Sequence, residues 1–209
     1  EYTRPESERV ERRESQKSLK SQGRLSDGSE YILYANNELE ISGGVLTSRL
    51  KTEKSLTEAL KDVTVLTLNV REIGEAACGD LTGIQTVNFG SELRSIGDSA
   101  FSKCTALGMI TFPASLNTIG NYAFQGCTSL WSANIPNAVT EMGSYVFVGC
   151  DSLRAVEIDG DVYEYAFADC TSLRDVTFTE NCHIIGEGAF QGCTGLRSLH
   201  LGSSVERIE

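Results

Sequence analysis

Residues 96–107 read Ile-Gly-Asp-Ser-Ala-Phe-Ser-Lys-Cys-Thr-Ala-Leu, and residues 119–130 read Ile-Gly-Asn-Tyr-Ala-Phe-Gln-Gly-Cys-Thr-Ser-Leu. The two stretches match position by position, 23 residues apart. The same frame starts again at Met142, Val162 and Ile185, so that successive copies are separated by 23, 23, 20 and 23 residues. A fixed period of this length indicates a protein built from stacked structural repeats.

A more divergent copy precedes these and starts at Ile73, with Cys78 in the Phe position and Leu81 in the Cys position. Every copy is followed by two apolar residues separated by one other residue, an alternation that indicates a β-strand. Strands that recur once per copy bury their apolar faces by stacking as parallel rungs about 4.8 Å apart. We therefore predict seven rungs, from residues 66–68 to residues 199–201.

The segment between strands predicts the wall opposite the sheet. Its Ala-Phe-x-x-Cys-x-x-Leu spacing places apolar residues about one helical turn apart, which favours a short helix or 3₁₀ turn. The Gly that follows each repeat Ile fits either a sharp, uncrowded turn or the start of a helix. The sequence leaves both explanations of the Gly open.

These motifs resemble the BspA-like class of leucine-rich repeats, whose pattern is Leu-x-x-Ile-x-Phe/Leu followed by Ile-Gly-x-x-Ala-Phe-x-x-Cys. The resemblance covers residues 62–209. The common leucine-rich pattern, with a regular Asn or Cys after the strand, fits less well because that position varies from copy to copy, as at Ser115 and Asn137. The resemblance implies a right-handed leucine-rich-repeat solenoid of about six coils, and a place at the cell surface or outside the cell.

Three segments follow from this reading. Residues 1–29 form a charged arm with few apolar side chains, expected to be disordered or ordered by a partner. Residues 30–61 form a cap, a β-hairpin turning at Asn36 and Asn37 plus a short helix, which covers the first coil. Residues 62–209 form the solenoid, which we expect to be truncated because Ile208 begins another copy.

The charge distribution narrows the classes of partner. Residues 1–30 hold equal numbers of basic and acidic side chains, so residues 31–209 carry the whole net charge of −11. An acidic surface repels phosphate backbones and anionic lipids, which disfavours nucleic acid and membrane surfaces and favours protein partners. No apolar run approaches the roughly 18 residues needed to span a bilayer, so membrane insertion is not expected.

The cysteines are predicted to be structural. Five of the seven share one repeat column, where a free thiol packs as a small apolar group. Their wide spacing does not suit a metal site, and the odd count does not suit a disulfide framework. Cys182, outside the column, is the expected exposed thiol. Unpaired thiols and the lack of an Asn-x-Ser/Thr sequon suit a reducing interior compartment, against the surface location that the resemblance implies.

Catalysis, cofactors and metals are not expected. The only histidines are His183 and His200, and His200 alternates with apolar residues and should face outward from a strand. No Ser or Cys nucleophile with a His base and an orienting acid is indicated. The acidic run at Asp159-Gly160-Asp161 is interpreted as a solvated turn rather than a calcium site, since it lacks the length and spacing of a calcium loop.

The candidate partner-binding residues come from the column that directly follows the repeat Leu. Trp and Arg concentrate in this column and are enriched at binding hot spots. The alternative is an ordinary charged surface, because BspA-like repeats often carry Lys or Arg there and Glu157 and Asp175 can neutralise it. With neighbouring outward positions, the candidates are Trp131, Arg154, Arg174, Arg197, Met109, Glu157 and His200.

The leading hypothesis is a non-catalytic protein-interaction module, or scaffold, that presents its repeat face to a partner protein, alone or as part of a larger complex. The first alternative is an accessory structural subunit of a large assembly, anchored by the N-terminal arm. The second is a cell-surface adhesin that binds a host protein or glycan.

Overall fold

The computed structural model describes residues 17–209 and consists almost entirely of short strands and turns. The strands are β1 (Leu19–Arg24), β2 (Glu30–Tyr34), β3 (Glu38–Ser42), β4 (Val45–Leu46), β5 (Val65–Asn69), β6 (Glu72–Ile73), β7 (Thr86–Phe89), β8 (Ser95–Ile96), β9 (Met109–Thr111), β10 (Thr118–Ile119), β11 (Ser132–Asn134), β12 (Glu141–Met142), β13 (Ala155–Ile158), β14 (Asp175–Phe178), β15 (Ile184–Ile185), β16 (Ser198–His200) and β17 (Arg207–Ile208). Two 3₁₀ helices, Leu50–Thr52 and Ala59–Lys61, lie in the cap.

One wall of the molecule is a ten-stranded sheet in the order β1-β2-β3-β5-β7-β9-β11-β13-β14-β16. From β3 onward neighbouring strands are parallel, and equivalent repeat positions lie side by side, as in the pairing of Leu66 with Val87. The seven predicted rungs are all present. The hairpin strand β3 adds an eighth parallel strand, so the cap continues the sheet. This confirms the solenoid of stacked parallel rungs.

The second wall is a narrower parallel sheet that the repeat pattern did not predict. Strands β4, β6, β8, β10 and β12 are two residues long and stack in register, each carrying an apolar residue such as Ile119 into the core. The Gly that follows most of them lies against the backbone of the preceding coil. A Cβ at Gly120 would lie 2.5 Å from the backbone nitrogen of Asp98. Glycine therefore recurs after these strands because the backbones of adjacent coils approach too closely there for a Cβ atom.

The third wall consists of turns rather than the predicted helical or 3₁₀ turns. Alternate N–H groups donate to the next coil, as from Phe101 to the carbonyl of Ala123 at 2.7 Å, while Ser102 donates back within its turn to Ser99. Residues with a left-handed backbone conformation recur in these turns, including Ser99 (φ 54°) and Lys103 (φ 60°). A helix needs its N–H groups for bonds within the segment. Here every second one joins neighbouring coils, so no helix propagates.

The core is a stack of identical side chains. The rings of the repeat Phe column lie parallel at centroid distances of 5.2 to 5.5 Å, with interplanar angles up to 9°. The cysteine column beside it is also internal, and each thiol donates to a carbonyl of the preceding coil, as from Cys127 Sγ to the Phe101 oxygen at 3.2 Å. The interpretation of these cysteines as core is borne out. Cys182 is also fully buried, so the prediction of an exposed thiol was wrong.

The cap begins earlier than predicted. Strand β1 pairs antiparallel with β2 and thus orders part of the segment assigned to the arm. The turn after it is fixed by Asp27, whose carboxylate accepts backbone N–H groups of Thr47, Ser48 and Ser29 at 2.7 to 2.8 Å. Residues 17–29 therefore belong structurally to the cap. The rest of the predicted arm, residues 1–16, lies outside the described residues.

The coil that is three residues short interrupts the second wall. After β12 this wall resumes only at the bridge between Val162 and Ile185 and at the pair β15–β17. The acidic turn lies at this interruption, and its carboxylates accept hydrogen bonds from the next coil. Asp159 Oδ1 accepts a hydrogen bond from Asn181 Nδ2 at 2.7 Å. Asp161 Oδ1 accepts one from the backbone N–H of His183 at 2.7 Å. The segment is a turn, as predicted, but its aspartates are half-buried and bonded to the next coil rather than solvated.

The last coil exposes apolar side chains that are buried in the others. Leu199 and Leu201, which continue the columns of Val176 and Phe178, are 43% and 47% exposed because they lie at the end of the stack.

No helix of the described residues has the length and apolar character to cross a membrane.

Candidate partner-binding surface

The column that follows the repeat Leu is a continuous backbone ladder. The N–H of Trp131 donates to the carbonyl of Gly108 at 2.9 Å, and the N–H of Arg174 donates to Arg154 at 2.8 Å. The ladder fixes the spacing of the side chains and brings together four predicted candidates. We call this surface the outer stripe, and it consists of Trp131, Arg154, Arg174 and Arg197.

Trp131 is held in an exposed position because the coil before it has no side chain at the equivalent place. A Cβ at Gly108 would lie 3.6 Å from the indole Nε1, so the ring lies over the glycine backbone. Trp131 is 50% exposed, and Met109, whose backbone pairs with Ser132 on the neighbouring strand, is 48% exposed. Two large apolar side chains are therefore exposed on neighbouring rungs at one end of the stripe.

The three arginines of the stripe are exposed and lack the neutralising partners that the alternative interpretation requires. Within residues 17–209, no carboxylate oxygen lies within 4.0 Å of their guanidinium nitrogens. Asp175 and Glu157, the proposed neutralising residues, are exposed on the sheet face. Neither forms an ion pair with an arginine of the stripe. The stripe thus carries three guanidinium groups that form no ion pair with a described residue, on a chain with net charge −11.

A groove runs beside the stripe and was missed from the sequence. It has a volume of about 390 Å³ and is lined by Ser129, Ser152 and Ser172 together with Trp131 and Arg154. The serines occupy the position immediately before the repeat Leu in three consecutive copies. That recurrence was the available signal, although serine at a polar surface position is common.

The remaining candidates lie on the face of the main sheet. Met109 and Glu157 border a shallow depression of about 370 Å³ that also includes Ser132 and Asn134. His200 lies two strands beyond Glu157, separated from it by Thr177. The structure therefore brings Met109 next to the stripe and leaves His200 at the far end of the sheet.

The histidine and cysteine side chains of the described residues have the following surroundings. His200 Nδ1 lies 3.1 Å from Ser198 Oγ, but both lie on the end strand and no carboxylate hydrogen-bonds to the ring within the described residues. Burial raises the pKa of the Cys104 thiol to about 12, and it raises the pKa of Cys127 well above the usual value. Such thiols stay protonated at neutral pH, the opposite of an activated nucleophile. No group of three or more described His, Cys, Asp or Glu side chains is placed to hold a metal ion.

A tyrosine stack on the turn wall was also missed. The rings of Tyr122, Tyr145 and Tyr165 are parallel at centroid distances of 4.9 Å, and each residue has a left-handed backbone. Tyr165 donates to Glu187 at 3.1 Å. The rings cover one another, so the stack presents mainly ring edges, and its evident effect is to tie three coils together.

Comparison with known proteins supports the architecture. The sequence matches the family described as BspA type leucine-rich repeat region, in six copies, over residues 55–164 and 160–209. The chain belongs to the BspA-type leucine-rich-repeat family. This family indicates a protein-interaction or surface-associated role, and its repeat fold is typically non-catalytic.

Solved leucine-rich-repeat structures resemble the chain in fold. A leucine-rich-repeat protein from Bacteroides ovatus is 24% identical, with a TM-score of 0.64 over 91% of this chain and 53% of the other. The chain thus spans about half the length of that protein. The leucine-rich-repeat protein of T. pallidum is 26% identical, with a TM-score of 0.61 over 87% of this chain and 88% of the other. The comparison with curated proteins gives no match.

Proposed function

We propose that the chain is a non-catalytic binding module that presents the outer stripe to a partner protein. The observation that carries this proposal is the half-exposed Trp131 beside three arginines that have no carboxylate partner among the described residues. Trp and Arg are enriched among the few hot-spot residues that supply most of the binding energy at protein interfaces.

The backbone around the stripe favours binding because it is already ordered. Each stripe residue is fixed by a hydrogen bond to the coil before it, and its neighbours Leu130, Leu153 and Leu173 are fully buried. Binding therefore costs little backbone entropy, and the loss is limited to the side chains that become immobilised. A rigid row of anchors suits recognition of a protein segment.

A displayed random-peptide library tests the proposal even though the partner is unidentified. Peptides are selected on the full chain and then measured on the triple variant Trp131→Ala, Arg154→Ala, Arg174→Ala. We expect most selected peptides to lose at least about tenfold in affinity, since an aromatic anchor and two charge contacts are removed. The melting temperature should stay nearly unchanged, because the three side chains are exposed.

A second triple variant of similar composition provides the matched control. Tyr163, Arg71 and Arg94 are also exposed but lie away from the stripe, and their replacement by Ala should leave peptide affinity unchanged. Equal loss in both variants, or no loss in either, would contradict the proposal.

The alternatives have less support. Anchoring of a structural subunit by the arm depends on residues 1–16, which lie outside the described residues, while residues 17–29 are part of the cap. The adhesin hypothesis, in which the ligand is a host protein or glycan, is supported only by the surface-associated role that the family indicates. Competition by a heparin fragment tests whether the stripe binds a glycan.

A further inference from the structure

We infer that the segment recognised by the outer stripe is an extended acidic peptide with an aromatic residue and two carboxylates, spaced aromatic-x-acid-x-acid in either chain direction. This inference rests on the proposed function and specifies the chemistry of the partner at the same surface. Three observations carry it: the spacing of the stripe, the serine groove beside it and the local charge.

The spacing of the stripe matches alternate side chains of an extended chain. Neighbouring rungs lie about 4.8 Å apart, so the three steps from Trp131 to Arg197 cover roughly 14 Å. An extended peptide advances about 3.3 to 3.4 Å per residue, so side chains on one side recur about every 6.7 Å. An aromatic residue over Trp131 then places the next two same-side residues near Arg154 and Arg174 and near Arg197.

The groove supplies partners for the backbone of such a peptide. Ser129, Ser152 and Ser172 lie one per rung and line the groove together with Trp131 and Arg154. A serine hydroxyl both donates and accepts, so each can bind a peptide N–H or carbonyl. Trp131 is half exposed and offers an apolar surface on which an aromatic ring can stack.

The charge pattern selects a short acidic segment over a long polyanion. The guanidinium groups are free of described carboxylates, and bidentate pairing with carboxylate is their preferred interaction. The stripe is roughly 14 Å long, which is less than twice the screening length of roughly 8 Å at physiological salt. Its attraction therefore acts on a short acidic segment close to it. A polyanion longer than the stripe would place its remaining charges on the acidic surface of a chain with net charge −11.

Fluorescence of Trp131 tests the inference directly, because it is the only tryptophan of the chain. The full chain is titrated with a peptide containing Phe-Ser-Asp-Ser-Asp between short Gly-Ser flanks, and with a control of identical composition containing Phe-Asp-Ser-Ser-Asp, in which only the acid that would lie near Arg154 and Arg174 is displaced. We expect the first peptide, or its reversed order Asp-Ser-Asp-Ser-Phe, to bind about tenfold more tightly than the control.

Variants separate the stripe from general charge attraction. Replacing Arg154 and Arg174 by Ala should reduce affinity for the spaced peptide by about tenfold and remove its advantage over the control. Replacing Arg71 and Arg94, which lie elsewhere, should change neither affinity. Near-ultraviolet circular dichroism verifies that both double variants stay folded.

Each other outcome overturns the inference. Equal binding of the two peptides, or binding of neither, contradicts the predicted spacing. Stronger competition at the stripe by a heparin fragment than by the spaced peptide would assign a glycan ligand instead. If the displayed library yields stripe-dependent peptides that lack this spacing, the inference fails and the proposed function stands. If it yields none that depend on the stripe, the proposed function fails as well.

Discussion

The inner Phe column and the outer stripe have the same period, and each is held by a ladder of backbone hydrogen bonds between coils, yet they differ in how much their residues vary. Inside, the column repeats one residue with under 2% exposure, at Phe101, Phe124, Phe147 and Phe167. Outside, the stripe and its preceding position change from Gly to Trp to Arg within three coils. A buried site has the same neighbours in every coil and so requires the same side chain. An exposed site has no such requirement, and its variation is where binding specificity resides.

The largest predicted effect lies on the inner side of this comparison. Phe124 is fully buried, with its ring 5.2 Å from that of Phe101 and 5.4 Å from that of Phe147. We expect Phe124→Ala to lower the free energy of unfolding by about 3 to 5 kcal/mol through lost burial and a residual cavity. Urea denaturation followed by far-ultraviolet circular dichroism measures this change.

Trp131→Ala is the matched control from the outer side. It removes a comparably large aromatic side chain that is half exposed, and we expect a change within about 0.5 kcal/mol. If Trp131→Ala destabilises the chain as much as Phe124→Ala, the stripe is part of the folding core, and the contrast between a stabilising inner column and a non-stabilising outer stripe is contradicted.

A second prediction compares the same substitution in two columns. A Cβ at Gly120 would meet the backbone nitrogen of Asp98 at 2.5 Å, whereas a Cβ at Gly108 would meet nothing closer than 3.6 Å. We expect Gly120→Ala to cost about 1 to 3 kcal/mol from forced backbone shifts, and Gly108→Ala to be nearly neutral. Thermal unfolding of both variants measures the difference. Equal tolerance at the two positions would show that the second wall does not require glycine.

A third prediction concerns a surface group that, unlike the stripe arginines, has many partners. Partial burial raises the pKa of Asp27, but backbone N–H donors from Ser48, Ser29 and Thr47 outweigh this and bring it to about 2, from 3.8 in the unfolded chain. A lowered pKa stabilises the fold above the unfolded value, and this contribution is lost as the pH falls from about 4 to 2. We expect Asp27→Asn to cost about 1 to 2 kcal/mol at pH 7 after allowance for solvent screening.

Urea unfolding of the wild-type chain and Asp27→Asn between pH 7 and pH 3 tests this prediction, and the difference should shrink towards the acidic end. Asp62→Asn is the control, because Asp62 is exposed and its carboxylate makes no hydrogen bond within the described residues. A constant difference across this range would show that the charge of Asp27 does not stabilise the cap.

The repeat frame made the rungs and most of the buried cysteines predictable, and local alternation of apolar residues made the hairpin predictable, because each depends on side-chain pattern. The second sheet and the turn wall were not predictable in the same way. They depend on backbone hydrogen bonds between coils, such as that from Phe101 to Ala123, which leave little trace in residue type. The glycine column was visible, but its cause became clear only from the distance between Gly120 and Asp98.

The candidate surface was predictable in position and less so in character. The frame aligned Trp131 with Arg154 and Arg174, since equivalent positions in a solenoid are neighbours. It did not indicate whether Glu157 and Asp175 pair with the arginines, because that depends on side-chain conformation. The serine groove escaped notice because a recurring Ser in a polar position resembles any solvated surface.

Collisional quenching of Trp131 tests the central claim, that this chain of net charge −11 presents a locally positive, aromatic stripe. Stern–Volmer constants for iodide and for caesium are each divided by the value for N-acetyltryptophanamide at the same ionic strength. An anion concentrates near positive groups and a cation is depleted there. We expect the normalised constant for iodide to exceed that for caesium by about twofold, and the difference to vanish when Arg154 and Arg174 are replaced by Ala. A larger normalised constant for caesium in the wild-type chain would contradict the claim.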